Sequence, residues 1–516
     1  MLSFFVPFAL KFSRTINVRV THFPPPIAQK CEIYNTNMGI DGDFTHFLFV
    51  FSFQKTYLCT IYHSNIGIDS DIMIIQRDIL DQLIKWKNRT DRKPLILQGA
   101  RQIGKTTTIR AFGNNHYSHI AEFNFDKNKE LKRVFETTKD IKRILQELSF
   151  FTNAPILANE TLIFFDEIQE CSEALNALKY FDEDAPEFHI IAAGSLLGVA
   201  LNREGMSFPV GKVNFIQMYP VTFKEYLRAA DQQLFSYAES IKKIAPLPEI
   251  IANKIEEQYR AYQICGGLPY ITCAMLERLG MEVIEERLQE MLNSYSNDFS
   301  KHVEQKDITR IHEIWNSLPS QLSRENKKFI FRTIREGARA REYESALQWL
   351  ILAGMIYKVV VTEKPQLPLS FYEDTTCFKI YMLDIGLLRK LSRLPAEIIT
   401  SPNEMFTEFK GAIAENIVLT SLLAQRFDTP HYWTLKGNKA EVDFIVNDKL
   451  SILPIEVKAA TRISGKSFAE YDKKYSPPLR IRYSLKNLKV DGNLLNIPLY
   501  LADWTRQIVE SCHSAR

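Results

Sequence analysis

The stretch KPLILQGARQIGKTTTIRAFGNN, Lys93 to Asn115, runs from an apolar segment through a glycine-bounded loop into a helix-forming segment. Leu95, Ile96 and Leu97 predict a short buried strand. Gly99 and Gly104 permit backbone turns that a Cβ would obstruct. The N–H groups across Gly99, Ala100, Arg101, Gln102, Ile103 and Gly104 can therefore converge on one anion. A helix starting at Lys105 aims the positive end of its dipole at the same point. Lys105 adds a point charge there, with the Thr106 hydroxyl beside it and Thr107 next along the helix.

Strand, glycine loop and helix in this order are the context of a Walker A motif. The bare pattern G-x4-G-K-[ST] arises by chance in roughly two of every hundred chains this long, so the flanking elements carry the assignment. It predicts ATP as ligand, with Lys105 on the β and γ phosphates and Thr106 on Mg²⁺. A second buried run, TLIFFDE from Thr161, ends in two acids. Asp166 suits the metal and Glu167 suits the base that polarises the attacking water. A third run, FHIIAAGS, ends at Ser195, which suits either a γ-phosphate sensor or a helix N-cap. With HIAEFNF and KVNFIQMY these make five strands separated by helical stretches. The predicted domain is a parallel α/β sheet of the P-loop NTPase type, with the loop and the acidic strand end at one edge.

GARQIGKT, FFDEIQE, AAGSLLGV, FPVGKVNFIQMYPVTFKEYL and GGLPYI together resemble an AAA-type ATPase family of bacteria and archaea that carries an uncharacterised C-terminal domain. The resemblance spans Met73 to about Trp504. It implies the ATP and Mg²⁺ roles of Lys105, Thr106, Asp166 and Glu167, and it implies no substrate. An arginine finger is expected of such a site; Arg101 and Arg203 are candidates, and neither is assigned.

The remaining composition sets bounds. The 516 residues suffice for about three domains, and 46% hydrophobic with 24% charged residues is ordinary for a folded chain. Sixty-four basic against sixty-one acidic residues leave +3, so any basic surface must be local. The seven cysteines include no CxxC pair, which argues against zinc and a disulfide framework. Beyond residue 70 no apolar run is long enough for a membrane span, and a cytoplasmic location is expected. CEIYNTNMGIDGDF at 31–44 reappears as CTIYHSNIGIDSDI at 59–72. A single duplication is too short for a repeat fold, and the second copy ends just before Met73, where the amphipathic MIIQRDILDQLIKWKN begins. Residues 1–72 are accordingly expected to be a non-native or disordered extension, and 73–235 the ATPase domain.

Residues 236–365 are expected to be helical. Helices over SRENKKFIFRTIREG and from Arg341, followed by a strand, suit a winged helix, and the basic residues Arg324, Lys327, Lys328, Arg332, Arg335, Arg339 and Arg341 suit DNA phosphates. The second helix is largely apolar, which suits burial better than groove reading. In 366–516, EVDFIV and LPIEVK predict a hairpin that brings Asp443 beside Glu456 and Lys458, with Glu415 on the preceding helix. This resembles the PD-(D/E)xK nuclease fold, in which two acids hold Mg²⁺ and a lysine orients water. Three readings stay open: a nuclease, a nuclease-like domain that only binds nucleic acid, and a scaffold. The whole chain is thus expected to be an ATPase coupled to a nucleic-acid-related domain. The alternative is a nucleotide-controlled signalling or defence switch acting through a protein partner or through self-association, and no membrane partner is expected.

Overall fold

In the computed structural model the described residues are 49–51, 57–59, 74–200, 209–303, 305–324, 327–400, 407–435, 440–459 and 466–514. The chain divides into two units, Met1–Ile72 and Met73–Arg516. In the first, β1 (Phe49–Phe51) and β2 (Tyr57–Cys59) pair antiparallel. The two repeat copies, apart from Cys59, lie outside the described residues, as does Arg203.

The second unit opens with α1 (Ile79–Lys87), which buries Ile79, Leu83 and Trp86, the face its spacing predicts. A parallel sheet follows, built from β3 (Leu95–Gln98), β4 (His119–Asn124), β5 (Thr161–Asp166), β6 (His189–Ala193) and β7 (Asn214–Gln217), in the order β4-β5-β6-β3-β7. Alternation splits the strand residues between two cores. Leu95, Leu97, Phe164 and Ile191 pack on the side of α1 and of α2 (Lys105–His116). Ile96, Ile163, Phe165 and Ile190 pack against the helices Glu130–Thr137, Ile141–Thr152 and Ser172–Asp184. Because β6 stands between β3 and β5, the ends of these two strands are separated by one strand, a width that a triphosphate and its metal can span.

Beyond the sheet, α3 (Phe223–Ala230) starts at a reciprocal cap in which Thr222 and Glu225 satisfy each other's backbone N–H. After the short helix Gln232–Glu239 come α4 (Glu249–Cys265), α5 (Pro269–Leu276), α6 (Met281–His302) and α7 (Gln305–Leu322). The helix expected over Ser323–Gly337 is corrected here. Past Leu322 the described residues form only a single 3-10 turn, Phe331–Thr333. Phe329 instead donates its N–H to Phe378 O at 2.8 Å, and Phe329 stacks on Phe378. The aromatic run KFIF thus gains more from packing on a strand than from a helical turn, and Gly337 at φ 79° opens the way to α8 (Ala340–Leu352).

The strands that the winged reading would use as a wing are β8 (Ile356–Thr362) and β9 (Glu373–Met382), which form an antiparallel pair. β8 also pairs parallel with β10 (His431–Thr434), so this hairpin is one end of an eight-stranded mixed sheet. The others are β11 (Glu441–Asp448), β12 (Ser451–Val457), β13 (Arg480–Ser484), β14 (Lys489–Asp491) and β15 (Leu494–Pro498). The expected 365/366 boundary falls inside the β8–β9 hairpin. Helices α9 (Ile385–Leu391), α10 (Thr407–Ala424) and α11 (Lys466–Tyr475) complete this region.

Shared backbone contacts join the two sheets. Asp384, the N-cap of α9, accepts from Leu387 N at 2.9 Å and from Gly267 N at 2.6 Å, and Gly267 O in turn accepts from Val221 N at 2.7 Å. The GGLP turn at Gly266–Pro269 is therefore a joint, which explains its glycines: a Cβ on Gly266 would lie 2.4 Å from Asp384, and one on Gly267 2.2 Å from Val221 O. Asp503 caps α3 from the C-terminal side, accepting from Lys224 N at 2.9 Å.

Candidate nucleotide site and a second acidic cluster

Gly99 (φ 150°), Gln102 (φ 64°) and Gly104 (φ 92°) give the loop its turns, and a Cβ at Gly99 would meet Met218 O at 2.5 Å. Lys105 lies folded back, donating to Gly99 O at 2.8 Å and Ala100 O at 2.7 Å. Burial pushes its ammonium down to about 8, against the pull of Glu167 and Asp166. A desolvated ammonium beside a turn of backbone N–H groups has the chemistry to receive an anion. Ile103 is fully buried and anchors the loop, its carbonyl accepting from Arg77 at 2.9 Å. Thr107 is exposed.

Across the sheet edge, Thr106 Oγ1 stands 3.4 Å from Asp166 Oδ1 and 3.5 Å from Oδ2, and Asn124 Nδ2 donates to Asp166 Oδ2 at 3.0 Å. Burial, and then the Glu167 charge, raise the Asp166 carboxyl above its ordinary range. A hydroxyl and a carboxylate facing each other this way are the hard oxygen donors that Mg²⁺ takes beside phosphate, so the residues present fit the group. Glu167 has left-handed backbone angles (φ 51°, ψ 45°), a region that few non-glycine residues adopt. Ser195 is buried, and its Oγ lies 3.2 Å from Glu167 Oε2, so the sensor candidate touches the candidate base.

Sequence reading missed what covers the loop. Three residues of α6 reach it: Asp298 pairs with Arg101, Ser294 Oγ accepts from Gln102 Nε2 at 2.9 Å, and Tyr295 OH donates to Arg101 O at 2.9 Å. Their 294, 295, 298 spacing marks one helical face, yet nothing in the sequence says what that face meets. Arg101, one of the two finger candidates, is thus engaged within the chain.

In the second region, partners are His431↔Ile445 but Trp433↔Val442, so β11 carries one extra residue over this interval. This bulge leaves Val442 and Ile445 together in the Trp433 core, while Phe444 and Val446 pack on the other side. Asp443 sits within it, accepting from Val457 N at 2.8 Å. Burial, and next the charge of Glu415, push the Asp443 carboxyl up to about 7. Glu415, on α10, pairs with Lys327 and accepts from Tyr381 OH at 3.0 Å. Burial works against its charge, but Lys327 and Lys379 hold it below the ordinary glutamate range. Glu456 is committed to Arg482 Nε at 2.8 Å, with Lys458 Nζ 3.6 Å from its other oxygen. Burial lowers Lys458, and Asp443 followed by Glu456 outweigh it, leaving the ammonium raised. Lys379, itself fully buried, pairs with Glu441.

All four residues expected here therefore lie in one neighbourhood, but with lysines between the carboxylates. Among the described residues no three His, Cys, Asp or Glu side chains are arranged to hold a metal. Lys327, counted above among cations for DNA, is turned inward. No helix among the described residues is long and apolar enough to cross a membrane.

Residues 91–227 match a family described as an AAA domain, and this stretch holds the five-stranded parallel sheet. Residues 256–397 and 410–501 match two families described only as domains of unknown function, DUF8612 and DUF4143. No curated protein matches. Among solved structures the chain is similar to the Walker-type ATPase PABY2304 of Pyrococcus abyssi, with 15% identity, coverage of 62% of this chain and 96% of that one, and TM-score 0.42. It is also similar to the Aeropyrum pernix ORC1 protein, solved in complex with DNA (13% identity, 64% and 96% coverage, TM-score 0.27). A third is the Thermotoga maritima RuvB Holliday junction branch migration motor (14% identity, 57% and 91% coverage, TM-score 0.23).

Proposed function

We propose that the chain binds ATP with Mg²⁺ at the Gly99–Thr107 loop, hydrolyses it, and uses the nucleotide state to set the position of its helical and C-terminal regions. The observation that carries this reading is the desolvated Lys105 lying on loop carbonyls beside the Thr106, Asp166 and Glu167 oxygens. In the proposed step Lys105 leaves those carbonyls for the β and γ phosphate oxygens, and Glu167 takes a proton from water as the water oxygen bonds to the γ-phosphorus. The bond from that phosphorus to the bridging oxygen breaks, and ADP departs with the electron pair. Thr106 and Asp166 would hold Mg²⁺, which would supply charge neutralisation on the phosphates. Ser195 couples the γ-phosphate position to Glu167 through the hydrogen bond they share.

Coupling to the rest of the chain runs through α6, whose face touches the loop, and through Gly267, Asp384 and Asp503, whose backbone contacts tie the sheets together. For the C-terminal region, the commitment of Glu456 to Arg482 and of Glu415 to Lys327 favours a nuclease-like sheet that contacts nucleic acid or a protein without cutting. One observation favours cleavage instead: the bulge that sets Asp443 near Lys458. ATP turnover with and without DNA, in wild type, Lys105→Ala and Asp443→Ala, tests these readings together. Turnover lost in Lys105→Ala and kept in Asp443→Ala, with no Mg²⁺-dependent cutting by wild type, is the expected result. Cutting that disappears in Asp443→Ala would establish the nuclease reading.

A further inference from the structure

We propose that Gln169 is a positioning residue for Glu167, and that with Gly194 it fixes which carboxylate oxygen is left to act as base. The inference rests on the hydrolysis reading above and adds a residue to that site. Gln169 lies two positions beyond Glu167, in the 3-10 turn Ile168–Glu170. Its Nε2 donates to Glu167 Oε2 at 2.6 Å, and Ser195 donates to the same oxygen from Oγ at 3.2 Å and from N at 3.5 Å. Oε2 is thereby occupied, while no hydrogen bond to Glu167 Oε1 is found among the described residues.

Only the nitrogen end of an amide can face a carboxylate favourably, so this partner fixes the amide and sends its oxygen the other way. Gln169 Oε1 is buried and has no hydrogen-bond partner among the described residues. It rests against Gly194, where a Cβ would stand 2.0 Å from it. A buried acceptor without a partner lowers stability, and methionine would fill nearly the same volume without that penalty. The glutamine and the facing glycine together sacrifice stability to keep one donor on Glu167. The trade is intelligible if that donor does chemical service, because a base that swings between oxygens loses its alignment with the attacking water.

Gln169→Met in the full chain is the test, read by ATP turnover, nucleotide affinity and thermal melting. The expected result is a kcat lower by about 10- to 100-fold, with KM for ATP within about twofold and a melting temperature equal to or above that of wild type. In a Glu167→Gln background the same change is expected to leave the residual rate within about twofold, since no base remains to be aimed. Gly194→Ala, which displaces the amide from the opposite side, is expected to reproduce the kcat loss. A Gln169→Met enzyme with undiminished kcat overturns the assignment, as does an equal fractional loss in both backgrounds or a loss that follows melting temperature. Wild type without ATP turnover removes the hydrolysis reading and this assignment with it; wild-type turnover with an undiminished variant removes only the role of Gln169.

Discussion

Asp298, on α6, holds the guanidinium of Arg101 in the phosphate loop. Neighbouring Ser294 and Tyr295 grip the loop from the same helical face. On the proposed reading, a bound polyphosphate competes with Asp298 for Arg101, so nucleotide binding and the docking of α6 oppose each other. Asp298→Ala is expected to tighten ATP binding by about fivefold, the scale of a partly exposed ion pair worth about 1 kcal/mol. Titration with a fluorescent ATP analogue checks this, and unchanged or weaker affinity contradicts it.

Lys105 gives a pH signature. Its free-state value of about 8 lies below that of an ordinary lysine because of burial. A bound triphosphate favours the charged form and raises that value again. Binding accordingly takes up a proton above pH 8, and affinity falls as pH rises through that point, by up to about tenfold per unit. Calorimetry in buffers of different ionisation enthalpy at pH 7 and pH 9 measures the uptake. Lys105→Arg, charged throughout, is expected to lose the slope.

Asp443 tests the second cluster without assuming any activity. Its carboxyl is raised to about 7 in the fold, against about 3.9 in an unfolded chain. Between those values the folded state keeps a proton that the unfolded state has released, so its contribution to stability is lost as pH rises through about 7. Asp443→Asn removes this loss and can still accept from Val457 N. The melting-temperature advantage of the variant is expected to grow from pH 5 to pH 7 and then level off, and a constant offset contradicts the account.

The P-loop region was legible in the sequence because its chemistry is local: Gly99 to Thr106, Asp166, Glu167 and Ser195 sit at or just past strand ends that apolar runs announce, whereas the place of β6 between β3 and β5 is read from the structure. What could not be read depended on distant partners. The basic run 324–341 looks like a helical surface for phosphate, yet Phe329 joins Phe378 and Lys327 turns to Glu415, contacts 49 and 88 residues away. Alternation along β11 and β12 singled out Asp443 and Glu456, but a one-residue bulge and the lysines Lys327 and Lys379 decide what surrounds this cluster. No spacing rule encodes those.

The GGLP turn gives a stability prediction. Gly267→Ala places a Cβ 2.2 Å from the Val221 carbonyl, a backbone atom that cannot step aside, and disturbs the N–H bond to Asp384. A loss of about 3 kcal/mol is expected, seen as a lower urea midpoint. A midpoint equal to that of wild type would show that the turn is not a rigid joint.

The most direct measurement is ATP binding by the purified chain with and without Mg²⁺, by isothermal calorimetry, alongside Lys105→Ala. The account predicts one site per chain, tighter with Mg²⁺ and lost in the variant. Absence of nucleotide binding by wild type, or equal binding by Lys105→Ala, would contradict it.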